Sequence, residues 1–175
     1  RSDLVMSKFS GVMSAVATFA AMPLAAAPAS AAPIGPDAQV CERGDAPAVL
    51  VRVPALKERS GKLRVQIYGD NPADFLAKGQ WLKRVDVPVT GGGPMNVCVA
   101  LPSAGRFAVA VRHDLDGDGK SGWSDGGGFS RNPGLSLLKL KPSYTDVAVT
   151  VGNGVKPLDV YLNYRHGLAI KPLKP

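Results

Sequence analysis

The stretch FAVAVRHDLDGDGKSGWSD, residues 107–125, joins an apolar run directly to a cluster of acidic residues. The run at 107–111 is short, apolar and rich in valine, which is typical of a β-strand. Three glycines at 126–128 follow the acidic cluster, so neither flank of the cluster is helical. This order indicates a β fold whose acidic loop connects strands. It excludes a sensor that opens a pair of helices when it binds calcium.

Other short runs of the same character lie along the chain, at the roughly ten-residue spacing that is typical of all-β domains. In LRVQIY, residues 63–68, apolar and polar side chains alternate, which predicts one buried face and one solvated face. We predict an all-β fold, an antiparallel β-sandwich of about seven strands that is transthyretin-like or immunoglobulin-like. The remaining strands are predicted at 48–53, 81–89, 96–101, 146–151 and 155–164.

Two details refine this prediction. Pro88 removes a hydrogen-bond donor from the strand at 81–89 and marks it as an edge strand. Gly152-Asn153-Gly154 supplies the residues of a tight turn, so the runs at 146–151 and 155–164 are expected to form a final hairpin.

The beginning of the chain has the order of a secretory signal. Residues 7–31 contain a lysine, an apolar run from Gly11 to Met22 and the small triplet that ends at Ala31, after which cleavage is expected. A membrane anchor is the rival interpretation, but the run falls short of the roughly 20 apolar residues that a bilayer requires. We therefore expect an exported protein, periplasmic or extracellular, that does not span the membrane once it is cleaved.

The predicted organisation has four parts. Residues 1–31 are the signal peptide, of which 1–5 precede Met6 and are a possible upstream remnant. Residues 32–47, rich in Ala, Pro, Gly and Asp, are a linker without periodicity. Residues 48–164 are the β-sandwich domain, and 165–175 are a loose, basic C-terminal tail.

The chain is basic, with a formal net charge of +7. Its Lys and Arg residues are scattered singly, and only 6% of its residues are aromatic. A nucleic-acid surface requires basic residues gathered together with aromatic ones, so no nucleic-acid partner is expected. A solvated basic surface, or one weakly attracted to an anionic envelope, fits better. The expected partner is an unidentified ligand or protein of the cell envelope, and the expected state is a monomer.

The chain contains two cysteines, Cys41 and Cys98. An even number of cysteines in an exported protein favours a disulfide between them. Two free thiols are the alternative.

The acidic loop has the spacing of a calcium site. Counted from Asp114 as position 1, it has Asp at positions 1, 3, 5 and 12 and Gly at position 6. Four carboxylates so close together would each cost the others about 1 kcal/mol without a cation. The predicted calcium ligands are the side chains of Asp114, Asp116, Asp118 and Asp125 and the backbone carbonyl of Lys120.

Position 9 is Gly122, so a water molecule must fill that place, and we expect a dissociation constant on the order of 10⁻⁴ to 10⁻³ M. The alternative is a solvated Asp/Gly-rich turn that binds no ion. The neighbouring His113 could indicate a transition metal, but a set of oxygen donors favours calcium or magnesium.

Signals for an enzyme are weak, and no catalytic or cofactor-binding residue is predicted. GFSRN, residues 128–132, begins like a nucleophile elbow but has Asn132 in place of the second glycine. A hydrolase that uses His113 and Ser130 beside a bound ion is the alternative, and it requires the two side chains to lie within hydrogen-bond reach.

These motifs together resemble an exported bacterial family known as domain of unknown function 2141. The resemblance covers residues 48–164 and rests on GKLRVQIY, on LPSAGRFAVAVRHDLDGDGK, on GGGFSRN and on the closing LNY. It implies a small β-sandwich in the cell envelope, similar to transthyretin-like or carboxypeptidase-regulatory-like modules, with no established reaction. Arg131 stands where the family has Asn, and the segment before GFSRN is shorter than in relatives. The residues that match the family's hallmark are Gly105, Phe107, His113, Asp114, Asp116, Asp118, Gly119, Lys120, Gly128, Phe129, Ser130 and Asn132.

Overall fold

The computed structural model describes residues 31–175 and folds them into two β-sheets around one main apolar core. This confirms the all-β fold class. The described residues also form two short helices, α1 (Ala38–Arg43) and α2 (Tyr144–Val147), and a 3-10 turn at Pro72–Asp74. The strands are β1 (Pro33–Ile34), β2 (Ala48–Val53), β3 (Lys62–Tyr68), β4 (Lys83–Pro88), β5 (Met95–Ala100), β6 (Gly105–Asp114), β7 (Gly126–Phe129), β8 (Val149–Val151), β9 (Val155–Asp159), β10 (Asn163–His166) and β11 (Ala169–Pro172).

The larger sheet is antiparallel and has the order β11-β10-β7-β6-β3-β4, with β8 paired to the beginning of β6. The strand that contains Pro88 is β4, and it lies at the sheet edge as predicted. The smaller sheet has the order β1-β5-β2-β9, in which β1 and β9 run parallel to their neighbours. The described part of the chain therefore forms more strands than the sequence predicts, and the smaller sheet is mixed.

The predicted final hairpin across Gly152-Asn153-Gly154 is wrong. The strand before this turn, β8, pairs with β6 in the larger sheet, whereas the strand after it, β9, pairs with β2 in the smaller one. The turn residues specify a local reversal of the chain. They do not specify the strand with which β8 or β9 pairs, because that depends on where β6 and β2 have unpaired edges.

The alternation in β3 is confirmed on its inner face, where Leu63, Val65 and Ile67 are fully buried. On its outer face, however, Tyr68 is buried as well, because segments 70–82 and 133–148 cover part of the larger sheet. They enclose a second, smaller apolar cluster, which comprises Tyr68, Ala108, Ala110, Tyr144, Val147 and Ala148, with Phe75, Leu76, Trp81 and Phe129 packed against it.

Residues 32–47, expected to be a linker without periodicity, contain β1 and α1, and β1 pairs with β5. The disulfide between Cys41 and Cys98 is present, with the two Cα atoms 6.0 Å apart. The Asp37 carboxylate accepts a hydrogen bond from the backbone N–H of Ala100 at 2.9 Å and pairs with Lys83. These attachments order a segment that has no apolar periodicity of its own.

The C-terminal tail, expected to be loose, forms a hairpin in which β10 and β11 extend the larger sheet. After β11, the backbone N–H of Leu173 donates to the carbonyl of Leu162 at 2.8 Å. The predicted signal peptide lies outside the described residues, apart from its last residue. Among residues 31–175, no helix has the length and the apolar composition of a membrane span.

Candidate metal centre

The acidic loop connects two neighbouring strands of the larger sheet. Asp114 is the last residue of β6, and the chain returns to pair Gly126 of β7 with His113 of β6. Residues 115–125 are therefore a long hairpin connection whose base is held by the ladder of the sheet. This geometry agrees with the expectation that no helix flanks the loop.

Asp114 is buried, with only 2% of its surface exposed. Its Oδ2 atom accepts a hydrogen bond from the backbone N–H of Gly119 at 3.0 Å, and Gly119 has a φ of +80°, which favours glycine at the bend. Its Oδ1 atom is buried and has no hydrogen-bond partner among the described residues. A buried carboxylate oxygen without a partner is costly unless a cation or another donor reaches it.

Asp116 and Asp118 each use one oxygen to shape the loop. Asp116 Oδ1 accepts from the N–H of Asp118 at 3.2 Å, and Asp118 Oδ1 accepts from the N–H of Lys120 at 2.7 Å. Asp114, Asp116 and Asp118 can each offer one carboxylate oxygen to a group in which all the oxygens lie within 4.8 Å of one another. These residues could hold a metal ion, as the spacing predicts.

Asp125 lies outside this group. Its Oδ1 accepts from the N–H of Leu115 at 3.1 Å, and its Oδ2 accepts from the N–H of Gly122 at 3.0 Å. These bonds close the loop at its base. The role of Asp125 as a ligand, like that of the Lys120 carbonyl, stays a prediction from the spacing.

Arg112 is a part of the site that the sequence analysis missed. Its guanidinium donates to the Gly119 carbonyl at 2.9 Å and to Ser121 Oγ at 3.0 Å, and it lies 3.4 Å from Asp114 Oδ2. It braces the loop and offsets part of the negative charge. The sequence does contain a signal for Arg112. It lies two residues before Asp114 in the same strand, so both side chains are expected on the same face of the sheet.

His113 is fully buried and points to the opposite face of β6. Its Nε2 lies 2.9 Å from the carbonyl of Ser60, and its Nδ1 lies 2.7 Å from the Tyr164 hydroxyl. Because a carbonyl can only accept, Nε2 carries a proton, and in the neutral ring Nδ1 accepts from Tyr164. Burial raises the pKa of Tyr164 to about 12, which keeps its hydroxyl protonated as a donor. Both ring nitrogens are therefore occupied by protein partners.

Ser130 is also buried and is bonded elsewhere. Its Oγ donates to the carbonyl of Val147 and accepts from the N–H of Val109 at 3.1 Å. Val109 lies four residues before His113 on the same strand, which corresponds to about 13 Å at the usual rise per residue. The structure does not bring together the His113 and Ser130 pair that the hydrolase alternative requires.

The family described as "Uncharacterized protein conserved in bacteria (DUF2141)" matches residues 51–158, a range that contains the whole acidic loop. No curated protein and no solved structure matches the chain.

Proposed function

The chain belongs to the bacterial DUF2141 family, and from the geometry of its acidic loop we propose that it is a calcium-binding β-sandwich module of the cell envelope. Asp114, Asp116 and Asp118 supply carboxylate oxygens, and Lys120 supplies its backbone carbonyl. The ion orders the loop between β6 and β7. The observation that carries this proposal is the buried Oδ1 of Asp114, which has no partner among the described residues although its carboxylate belongs to the acidic group.

The chemistry of the donors favours calcium over a transition metal. The acidic group offers only oxygen, and the nearest imidazole, His113, has protein partners on both nitrogens. Magnesium demands near-ideal octahedral geometry, whereas calcium accepts six to eight oxygens in flexible arrangements. A short loop in which the carboxylates of Asp116 and Asp118 are exposed suits calcium better.

The envelope location rests on the signal-like beginning of the chain and on the disulfide. Disulfides persist in oxidising compartments and are rare in the cytosol, so the Cys41–Cys98 bond supports export. An ordered sandwich in the envelope then acts as a binding or accessory module rather than as an enzyme.

A structural loop without an ion is the second candidate. The hydrogen bonds from backbone N–H groups to Asp114, Asp116 and Asp118 favour it, because they shape the loop without a cation. The two candidates differ at the Asp114 Oδ1 atom. The ion contacts this atom in the first candidate, whereas the atom has no partner in the second.

Thermal unfolding of the purified protein distinguishes these candidates. The measurement compares roughly 10 mM calcium, the same concentration of magnesium, and chelator. With the expected dissociation constant of about 10⁻⁴ to 10⁻³ M, that calcium concentration should add about 1.4 to 2.7 kcal/mol to the free energy of unfolding. This corresponds to a rise in Tm of about 3–11 °C for a chain of this size.

Asp116→Ala should abolish the calcium-dependent rise, and Asp45→Ala is the matched control. Asp45 is an exposed aspartate remote from the loop, paired with Arg43 at 3.5 Å. The readout is the difference in Tm between calcium and chelator within each variant. Any stability that Asp116→Ala loses with its hydrogen bond in the turn is present in both conditions and therefore cancels. A rise in Tm that is absent in the unmodified chain, or equal in both variants, would refute the ion site.

A further inference from the structure

A cavity of about 490 Å³ lies on the outer face of the larger sheet, beside the acidic loop. It is bounded by segments 76–81 and 135–141 and by residues 121–125 of the loop. Its volume falls in the range of small-molecule sites, roughly 300–1,000 Å³. None of the three acidic residues grouped in the loop lines it, although Arg112 and Asp125 do, so the cavity adjoins the proposed ion site without including its acidic group.

The floor of the cavity is built from small residues, Ala110 of β6 and Gly127 of β7. A Cβ atom added at Gly127 would meet no atom within 4 Å. At the neighbouring Gly126 and Gly128 it would instead lie 2.4 Å from the Tyr164 ring and 2.7 Å from the Tyr161 carbonyl. Packing thus demands glycine on the inner face of β7 but not on the outer face, where the space above Gly127 is open.

The walls of the cavity are apolar and aromatic. Tyr68, Trp81 and Phe129 contribute rings, and Leu135 and Leu140 contribute aliphatic side chains. Leu140 is 50% exposed although it lines the cavity. Covering such a surface with an apolar molecule removes it from water, which is favourable.

The charges around the cavity are mostly positive. Among the described residues that line it, the only acid is Asp125, and both of its carboxylate oxygens accept backbone N–H groups. The Arg112 guanidinium is bonded to the acidic loop through Ser121 and Gly119, so it adds positive charge to the cavity while its terminal nitrogens donate to the loop. Arg165 stacks on the ring of Trp123, with its Cζ atom 3.7 Å from the ring centroid. The cationic residues that line the cavity are Lys78, Arg112, Lys141 and Arg165.

We propose that this cavity binds a small amphipathic anion, such as an alkyl or aryl carboxylate or sulfonate. Its apolar body lies over Ala110 and Gly127, between the aromatic walls. Its anionic group is directed towards Lys78, Lys141 and Arg165, the lining cations that are not hydrogen-bonded to the acidic loop. Opposite charge supplies the specificity and the apolar body supplies most of the affinity.

Fluorescence titration with 1-anilinonaphthalene-8-sulfonate tests this proposal on the folded protein in the presence of calcium. The expected result is saturable binding of one probe per chain. Octanesulfonate should displace the probe, whereas octyltrimethylammonium, which has the same alkyl chain and the opposite charge, should not. Equal displacement by both would overturn the assignment to an anion.

Gly127→Leu fills the cavity and should weaken binding of the probe at least tenfold. Gly152→Leu is the control, because a Cβ atom there also meets nothing within 4 Å and Gly152 does not line the cavity. Binding to this control should stay within twofold of the unmodified chain. Both variants must unfold at the temperature of the unmodified chain, since the probe also binds loosened proteins.

Lys141→Gln provides a second test that does not depend on how Gly127→Leu folds. It should weaken binding of the probe severalfold, and binding should become less sensitive to salt. Unchanged affinity in both Gly127→Leu and Lys141→Gln would overturn the proposal. A dimer that Gly127→Leu abolishes would assign the cavity to a second copy of the chain and would also overturn it. The thermal shift by calcium is measured without the probe, so the two proposals fail independently.

Discussion

The glycine run at 126–128 provides the sharpest test of the structure, because two neighbouring residues of the same type should respond differently to the same substitution. Gly126→Ala places a methyl group 2.4 Å from Cε1 and 2.6 Å from Cζ of Tyr164. Gly127→Ala places the same group in open space. Neither glycine has a positive φ, so backbone conformation does not separate the two variants.

The Tyr164 ring cannot easily move away from the new methyl group. Its hydroxyl lies 2.7 Å from His113 Nδ1 and accepts from the N–H of Lys57 at 3.3 Å. Overpacking of a core typically costs about 1–3 kcal/mol. If the ring shifts instead, His113 loses its partner, which costs about 1–3 kcal/mol. Whichever of these two effects occurs, we expect Gly126→Ala to lower the free energy of unfolding by about 1–3 kcal/mol.

Gly127→Ala should be neutral or stabilising by about 0.4–1 kcal/mol, because alanine restricts the unfolded chain. Urea denaturation followed by circular dichroism measures both variants against the unmodified protein. If the two variants unfold within about 0.5 kcal/mol of each other, the packing of Tyr164 against β7 is wrong.

Two further predictions concern the same core. Since burial raises the pKa of Tyr164 from 10.0 to about 12, the stability that its neutral hydroxyl contributes is complete below pH 10 and is lost as the pH rises through 12. The free energy of unfolding should therefore fall with pH in this window by up to about 1.4 kcal/mol per unit, and Tyr164→Phe should be measurably flatter; parallel curves would contradict the burial of this hydroxyl. The double substitution Cys41→Ala with Cys98→Ala opens a loop of 57 residues and should cost about 4 kcal/mol in urea denaturation. Reductant should lower the free energy of unfolding of the unmodified protein to that of this variant. A urea midpoint that does not respond to reductant would argue against the disulfide.

The candidate ion site could be predicted in large part from the sequence. The spacing of Asp114, Asp116 and Asp118 around Gly119 is local, and the structure does bring these three carboxylates together. The hydrogen bonds that Arg112 and Asp125 make with the loop backbone were not predicted, because they depend on how the loop folds back onto the end of β6. In the sequence His113 could indicate a transition metal or a catalytic residue, but alternation along β6 turns its side chain inward to a tyrosine and a carbonyl.

The sequence by itself determined most of the strands, the acidic loop and the disulfide, because each is encoded by a local pattern or by a count of residues. Alternation in 63–68 reports burial within one strand, and an even number of cysteines predicts their pairing. Only the tertiary structure decided that β8 and β9 lie in different sheets, that Gly126 and Gly127 have different roles, and that a basic cavity lies beside the loop. Pairing depends on which strand edges remain free, and close packing depends on atoms far apart in the chain. The pattern of residues along one segment contains no information on free strand edges or on these distant contacts.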